Sequence, residues 1–411
     1  MERTIENHAR TASTPDGPLR GIRVVEMGQL IAGPFCGQLL GDLGADVIKI
    51  EEPTNGDPMR QWGQAQVEGD SFWWSVLGRN KRSVTLNLRD PEGQALAKEL
   101  IRSADIVLEN FRPGAMEKWG MGYPSLVEIN PGLIMVRVSG FGQTGPYASR
   151  PGYGSIGEAM GGLRYVVGSP DAPPSRVGIS IGDTLAGMFA AMGALAAINE
   201  RHHSGRGQVV DSSIYESVLG VMEALVPDWA LGGVQRERTG AILPKIAPSN
   251  VYPTRDGKWI IIAANQDTVF KRLCAAMGNS QLADDPRYAT HGPRGERQEQ
   301  LDELVGRFSS QYDAEELIEL LNEFSVPVGK IFRVADMLAD PQFQARESIV
   351  DVANDDHGAV QMQNAFPRMS RTDTAIRWSG PPLGHHTEEV LAELNIDSTG
   401  IESLRSKGVI R

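Results

Sequence analysis

The residues best suited to chemistry in this 411-residue chain crowd into one run, Gly178-Ile179-Ser180-Ile181-Gly182-Asp183. Gly178 to Gly182 fits G-x-S-x-G, the turn that presents a serine nucleophile between a strand and a helix, and His357, His385 or His386 could act as its base. The segment before it, DAPPSRV, is too rich in proline for a central strand. Asp183 offers a second chemistry. Asp is a favoured N-cap residue, and an apolar helix follows. Helix-terminal amides would keep a carboxylate there ionised. Such a group is a cap, a nucleophile, or both.

Gly152 to Gly157 fits G-x-G-x-x-G, the dinucleotide fingerprint, but Ser149-Arg150-Pro151 precedes it where a strand is required. Arg112 follows a strand pattern in Asn110-Phe111-Arg112-Pro113-Gly114, and Arg89 and Lys118 occupy similar strand or loop ends. Those three cations could receive an anion beyond the carboxyl ends of a parallel sheet, or could pair with surface carboxylates. His202-His203 suits the negative end of a helix, and adjacent histidines such as His385-His386 point to different sides of one, so neither pair is read as a metal site.

The elements that must position these residues alternate. Strand patterns at Ile22–Glu26, Asp46–Glu51, Ser83–Leu88, Ile106–Asn110, Leu133–Ser139 and Gln208–Asp211 enclose helical stretches: one opened by Gly33-Pro34, one capped by Asp90-Pro91, a short one at 125–129, and a long one from Gly182 to His203. This order predicts a doubly wound, mostly parallel α/β sheet of Rossmann type. Residues 228–247 read as a Gly, Arg and Pro-rich linker. Two strands about Thr254-Arg255-Asp256-Gly257, with helices at 267–276, 297–310 and 314–323, make a smaller α+β domain at 248–344.

Net charge is −12, which disfavours nucleic acid as a partner. Cys36 and Cys274 alone exclude a disulfide scaffold,, and both are expected reduced and buried. Residues 1–18 hold no secretory signal and read as a flexible tail. Leu185–Ile198, the longest uncharged apolar run, falls short of the roughly 20 residues of a membrane span, so no membrane partner and a cytoplasmic location are expected.

Five stretches then carry a resemblance: AGPFCGQLLGDLGADVIKIE (32–51), RNKRSVTLNL (79–88), ENFRPGAMEKWG (109–120), SGFGQTGP (139–146) and GDTLAGMFAAMGALAAINERHHSGRGQVVD (182–211). In order and spacing they resemble the family III CoA-transferases, the CaiB-BaiF group that includes formyl-CoA transferase and the carnitine CoA-transferases. The resemblance implies coenzyme A as cosubstrate, no metal, and exchange of CoA between an acyl-CoA and a small carboxylic acid. It places Asp183 at the catalytic aspartate position. CoA contacts are implied at Ala32, Leu86 to Arg89, Asn110-Phe111 and Lys118, with Tyr153 at an active-site tyrosine position and Arg112 joining the anion-binding set.

The resemblance further implies a homodimer of interlocked rings, with 345–411 returning to a large domain begun by 19–227. The glycine-run loop of formyl-CoA transferase has no match in 228–247, so oxalate is not the expected acceptor. A succinyl-CoA-type donor and dicarboxylic acids are, with Arg236, Arg238 and Lys245 available to a second carboxylate or merely solvated. Related racemases pair an aspartate with a histidine, yet no histidine lies between Ser139 and Asp183, which favours transfer. A fold that kept CoA binding and lost catalysis is the non-enzyme alternative.

Overall fold

The computed structural model describes residues 17–67, 70–354 and 358–411, so all but the end of the expected 1–18 tail, and His357, lie outside the described residues. Two compact units divide the chain. One takes in the chain through Leu163, Val177–Glu223 and Arg346–Arg411, and the other Arg164–Arg176 and Ala224–Ala345.

Six strands form the sheet of the first unit: β1 (Arg23–Glu26), β2 (Asp46–Glu51), β3 (Lys81–Thr85), β4 (Ile106–Glu109), β5 (Ile134–Ser139) and β6 (Val209–Ser213). Their spatial order is β3-β2-β1-β4-β5-β6, and every pairing is parallel. This is the doubly wound order in which strands run outward in both directions from β1. Ser83–Leu88 was expected as the third strand. It begins instead at Lys81, because the Lys81, Arg82 and Ser83 side chains are all buried and partnered, Lys81 with Glu26, Ser83 with Glu51, and Arg82 with Asp46, Glu389 and Glu393.

The helices that matter to the site are α1 (Ala32–Asp42), α2 (Pro91–Arg102), α3 (Tyr123–Ile129), α4 (Gly154–Met160), α5 (Ile181–Ser204) and α6 (Ile214–Leu219). Asp90 caps α2 as expected, its carboxylate accepting from Glu92 N at 2.7 Å with Pro91 next,. Helix α1 starts two residues earlier than Gly33-Pro34 suggested, which leaves Pro34 in the first turn, where no N–H is needed,. α5 has 24 residues and contains an 18-residue stretch of mean hydropathy 1.6, enough by length and composition to cross a membrane. In this fold it lies against the sheet, burying a small-residue face of Gly182, Ala186, Gly187, Ala190, Ala194 and Ala197.

The second unit has the expected hairpin, β7 (Ser249–Pro253) with β8 (Trp259–Ala263), and a third strand, β9 (Val328–Lys330), on the other side of β8. Helices α7 (Asp267–Ala276), α8 (Gln298–Ser309) and α9 (Ala314–Glu323) surround a core that includes Tyr252, Phe270, Leu273 and Leu317. The stretch 228–247, read as a linker, joins this unit, with Gly240 N donating to Gly168 O at 3.0 Å. Residues 164–176 join it as well. Cys36 and Cys274 are free and buried, and burial pushes the Cys274 thiol up to about 12.

Residues 346–411 close the first unit with a hairpin, β10 (Ile349–Asn354) and β11 (Gly358–Gln363), followed by α10 (Thr387–Glu393) and α11 (Ser398–Ser406). Arg82 of β3 ties this segment down through Glu389 and Glu393 at 3.0 and 2.6 Å. His386 Nδ1 accepts from Ser83 N at 3.2 Å, and burial lowers the imidazole to about 4. The folded protein therefore holds His386 neutral where an unfolded chain would protonate it, and stability falls as pH drops from about 6.5 to 4,. Urea unfolding at pH 7 and pH 4 should show a smaller acid loss in His386→Gln than in wild type, the difference being on the order of 1–3 kcal/mol. Identical losses would show that His386 contributes nothing to the acid sensitivity.

Candidate active site

Where strand order reverses, between β1 and β4, the connections leaving the two strands diverge and a crevice opens beyond their carboxyl ends. A cavity of about 220 Å³ lies there. Its walls come from the turn after β1 (Gln29 to Ala32), the turn after β4 (Asn110 to Arg112), the end of β5 (Val138 to Gly140), Pro151 to Tyr153, Asp183 and Ile214.

Asp183 is not the cap of its helix. α5 begins at Ile181, Ser180 holds the N-cap position, and Asp183 falls within the first turn. A carboxylate there is stabilised by the positive end of the helix, and Asp183 lines the cavity. The neighbouring α4 abuts it so closely that a Cβ on Gly154 would stand 2.2 Å from Asp183 Oδ2. Gly154 is the first residue of α4, and the first amides of a helix have no intrahelical acceptor.

This also disposes of the two glycine motifs. Gly152 to Gly157 runs from a loop into α4 with no strand before it, and its glycines serve close packing: a Cβ on Gly157 would meet Ile214 Cγ2 at 2.4 Å. Gly178 to Gly182 likewise lacks a preceding strand, so Ser180 is not raised on a nucleophile elbow. His386, one of its candidate bases, is bound to the β3 backbone.

The turn after β4 is built by side chains. Glu109 is buried and accepts from Phe111 N at 2.7 Å, while Arg137 holds its other oxygen at 2.7 Å. Burial raises the Glu109 carboxyl and Arg137 opposes that rise. Asn110 clasps the turn after β1, its Oδ1 accepting from Gln29 N at 2.7 Å and its Nδ2 donating to Gln29 O at 2.8 Å. Phe111 meets Trp119 edge to face at 5.1 Å. Arg112 is exposed on the cavity wall, with no side-chain ion pair among the described residues.

Ala32, Asn110, Phe111, Arg112, Tyr153 and Asp183 thus come together at one cavity. Three expected contacts do not line it: Leu86 is buried in the core behind β3, while Arg89 and Lys118 are exposed in the connections that follow β3 and β4. Arg236, Arg238 and Lys245, proposed for a second carboxylate, are each engaged within the second unit. Arg236 pairs with Asp228 at 3.2 Å, Arg238 donates to Tyr165 O at 3.0 Å, and Lys245 pairs with Glu296 at 3.0 Å. Gln29, Leu30 and Ile31 were missed, since nothing in their composition marks a turn at the end of a buried strand.

The family model of CoA-transferase family III matches residues 19–387. The chain belongs to that family. It is 54% identical over 401 residues to succinyl-CoA–D-citramalate CoA-transferase of Chloroflexus aurantiacus, covering 97% of this chain and 100% of that one. It is 42% identical to the succinyl-CoA–L-malate CoA-transferase beta subunit of the same organism, covering 96% and 98%. The crystal structure of a CAIB/BAIF family protein from Brucella suis superposes with a TM-score of 0.81 at 36% identity, covering 92% of this chain and 100% of that one. The protein is accordingly a CoA-transferase acting on CoA thioesters.

For this transferase, Gly154→Ala is expected to displace the Asp183 carboxylate, because the added methyl would occupy the oxygen's place. Turnover should fall by about a hundredfold with the fold retained, as read by steady-state kinetics and circular dichroism. Wild-type turnover in the variant would show that the placement of Asp183 is irrelevant to the reaction.

Proposed function

We propose that this enzyme moves CoA from succinyl-CoA to a small hydroxylated dicarboxylic acid of the citramalate type, with Asp183 as the covalent nucleophile. The 54% identity across the whole length of a relative so named carries the substrate assignment. The position of Asp183 in the cavity supports the chemistry.

An Asp183 oxygen attacks the thioester carbonyl, the C–S bond breaks, and CoA leaves as thiolate from a mixed anhydride. The thiolate attacks the aspartyl carbonyl, which frees the donor carboxylate and leaves an aspartyl-CoA thioester. The acceptor carboxylate attacks that thioester and expels thiolate again. Thiolate then attacks the acceptor's acyl carbon and regenerates the Asp183 carboxylate. No net proton moves, so no general base is required. Each tetrahedral oxyanion needs donors, and the first amides of α4 and α5 are the available ones. Water must stay out, since either acyl intermediate would hydrolyse. CoA itself is assigned to Ala32, the backbone of Leu86 to Arg89, Asn110, Phe111, Arg112 and Lys118. Arg89 and Lys118 would lie toward its phosphates, and Tyr153 toward the acyl group.

The test is a panel of labelled free acids against succinyl-CoA and butyryl-CoA, run with wild type and Asp183→Asn. Succinyl-CoA with D-citramalate or L-malate is expected to turn over at least tenfold faster than butyryl-CoA, each tenfold corresponding to about 1.4 kcal/mol of discrimination. Asp183→Asn should be inactive with every pair. Equal use of butyryl-CoA would overturn the dicarboxylate assignment, and an active Asp183→Asn the nucleophile.

The enzyme is further read as a cytosolic homodimer of interlocked rings. An exposed stripe on α5, Met188, Met192 and Leu195, supports a second copy: with Phe35, Leu39 and Phe366 it lines an apolar groove of about 640 Å³,. Light scattering should return twice the 44.6 kDa chain mass. A monomer at micromolar concentration would overturn this.

A further inference from the structure

Four charged side chains lie sealed between the sheet and the first turn: Glu26 at the end of β1, Lys49 in β2, Lys81 at the start of β3, and Asp57, each exposed by 1% or less. Lys49 Nζ reaches Glu26 Oε1 at 3.0 Å and Asp57 Oδ2 at 2.8 Å. Lys81 Nζ reaches Glu26 Oε2 at 2.8 Å. Helix α1 closes over them through Gly37, where a Cβ would stand 1.9 Å from Glu26 Oε2. Two lysines thus face two carboxylates in a buried cluster, where burial holds Lys81 below the usual lysine range. Burial lowers the Lys49 ammonium, but Asp57 and Glu26 outweigh it, so Lys49 stays charged.

Such a cluster is a poor way to stabilise a fold, because apolar residues of similar volume do as well or better than buried ion pairs. Asp57 Oδ1 accepts from Met59 N at 2.9 Å, capping the turn that follows it, and three further hydrogen bonds run to the segment after β1. Lys49 Nζ donates to Gly28 O. Asp57 Oδ1 accepts from Leu30 N at 3.0 Å. Lys81 Nζ donates to Pro34 O at 2.6 Å. Leu30 itself is held at φ +63, a left-handed conformation a leucine keeps only when its surroundings impose it. Between these points lie Gln29 to Ala32, one wall of the cavity that Asp183 also lines.

We propose that Lys49 and Asp57 are positioning residues for CoA transfer, shaping the Gln29–Ala32 wall by gripping Gly28 O and Leu30 N. The inference rests on the reading of this cavity as the CoA thioester site. It goes beyond that reading by assigning a function to charges that touch no substrate.

The test measures binding of free CoA by calorimetry, together with melting temperature. Lys49→Met and Asp57→Ala should each weaken CoA by about tenfold or more. Asp57→Asn retains an oxygen for Leu30 N, so its affinity should return to within about threefold of wild type. The charge-balanced double variant Lys49→Met/Asp57→Asn should recover melting temperature, yet bind CoA as weakly as Lys49→Met, because Gly28 O is still released. A purely structural cluster gives the opposite pattern: the double variant regains affinity together with stability, or Asp57→Asn binds no better than Asp57→Ala. Either result overturns the proposal, and so does failure of every variant to fold. Asp183→Asn is assayed for turnover in parallel. If it transfers CoA like wild type, the reading of the site fails. If it is inactive while the Lys49 and Asp57 variants bind CoA normally, only the positioning role fails.

Discussion

How closely α5 can approach its neighbours governs the active centre. The helix carries Asp183 in its first turn, so its depth in the fold is the depth of the carboxylate. Small residues set that depth: Gly182, Ala186, Gly187 and Ala190 lie on the buried face, and a Cβ on Gly187 would stand 2.7 Å from Ala32 O. Larger side chains would lift the helix off α1 and withdraw Asp183 from the cavity. Gly154 applies the same constraint from the α4 side. An apolar helix that could span a bilayer by composition here packs one face against the sheet and α1, and its small residues permit that packing.

The parallel sheet supplies the other half of the site. Its order turns back between β1 and β4, so the connections from these strands separate and leave a crevice. Crevices lined by bare backbone would be soft. In this protein the two turns are stiffened by side chains from the strand ends: Asn110 clasps Gln29 in both directions, and Glu109 holds Phe111. Buried ionic groups contribute little to net stability, yet several stand at this end of the sheet, including Glu26, Lys49 and Glu109. The same arrangement recurs at β2, where Glu51 pairs with Arg60 at 2.8 Å and Arg60 stacks on Trp74 at 3.8 Å.

Keeping the thioester chemistry dry places different demands on the residues around it. The proposed nucleophile, Asp183, must be charged yet shielded, which helix amides can arrange without a nearby cation. A cation against Asp183 would lower its nucleophilicity, and the cationic candidates Arg89 and Lys118 lie in connections outside the cavity lining. Arg112 is the exception, a guanidinium on the wall itself with no ion pair among the described residues. Such a group can meet a phosphate or a carboxylate bidentately.

Much of this was legible in the residues. Strand and helix alternate in local patterns of polarity, and local pattern depends only on neighbours in sequence, so the doubly wound sheet, the α2 cap and the β7–β8 hairpin could be read directly. Asp183, Asn110 and Phe111 were found through motifs whose order and spacing identify a family. Tertiary structure alone decided the remainder. The fate of Arg236, Arg238 and Lys245 depended on Asp228, Tyr165 and Glu296, partners that spacing in the chain does not reveal. Asp183 proved to lie past the cap, because helix starts shift by a residue or two to suit packing. The lysine inside DVIKIE was the one visible trace of the buried cluster: a charge in an otherwise apolar central strand must have a partner. Its carboxylates come from β1 and from the loop after β2, and only folding brings them together.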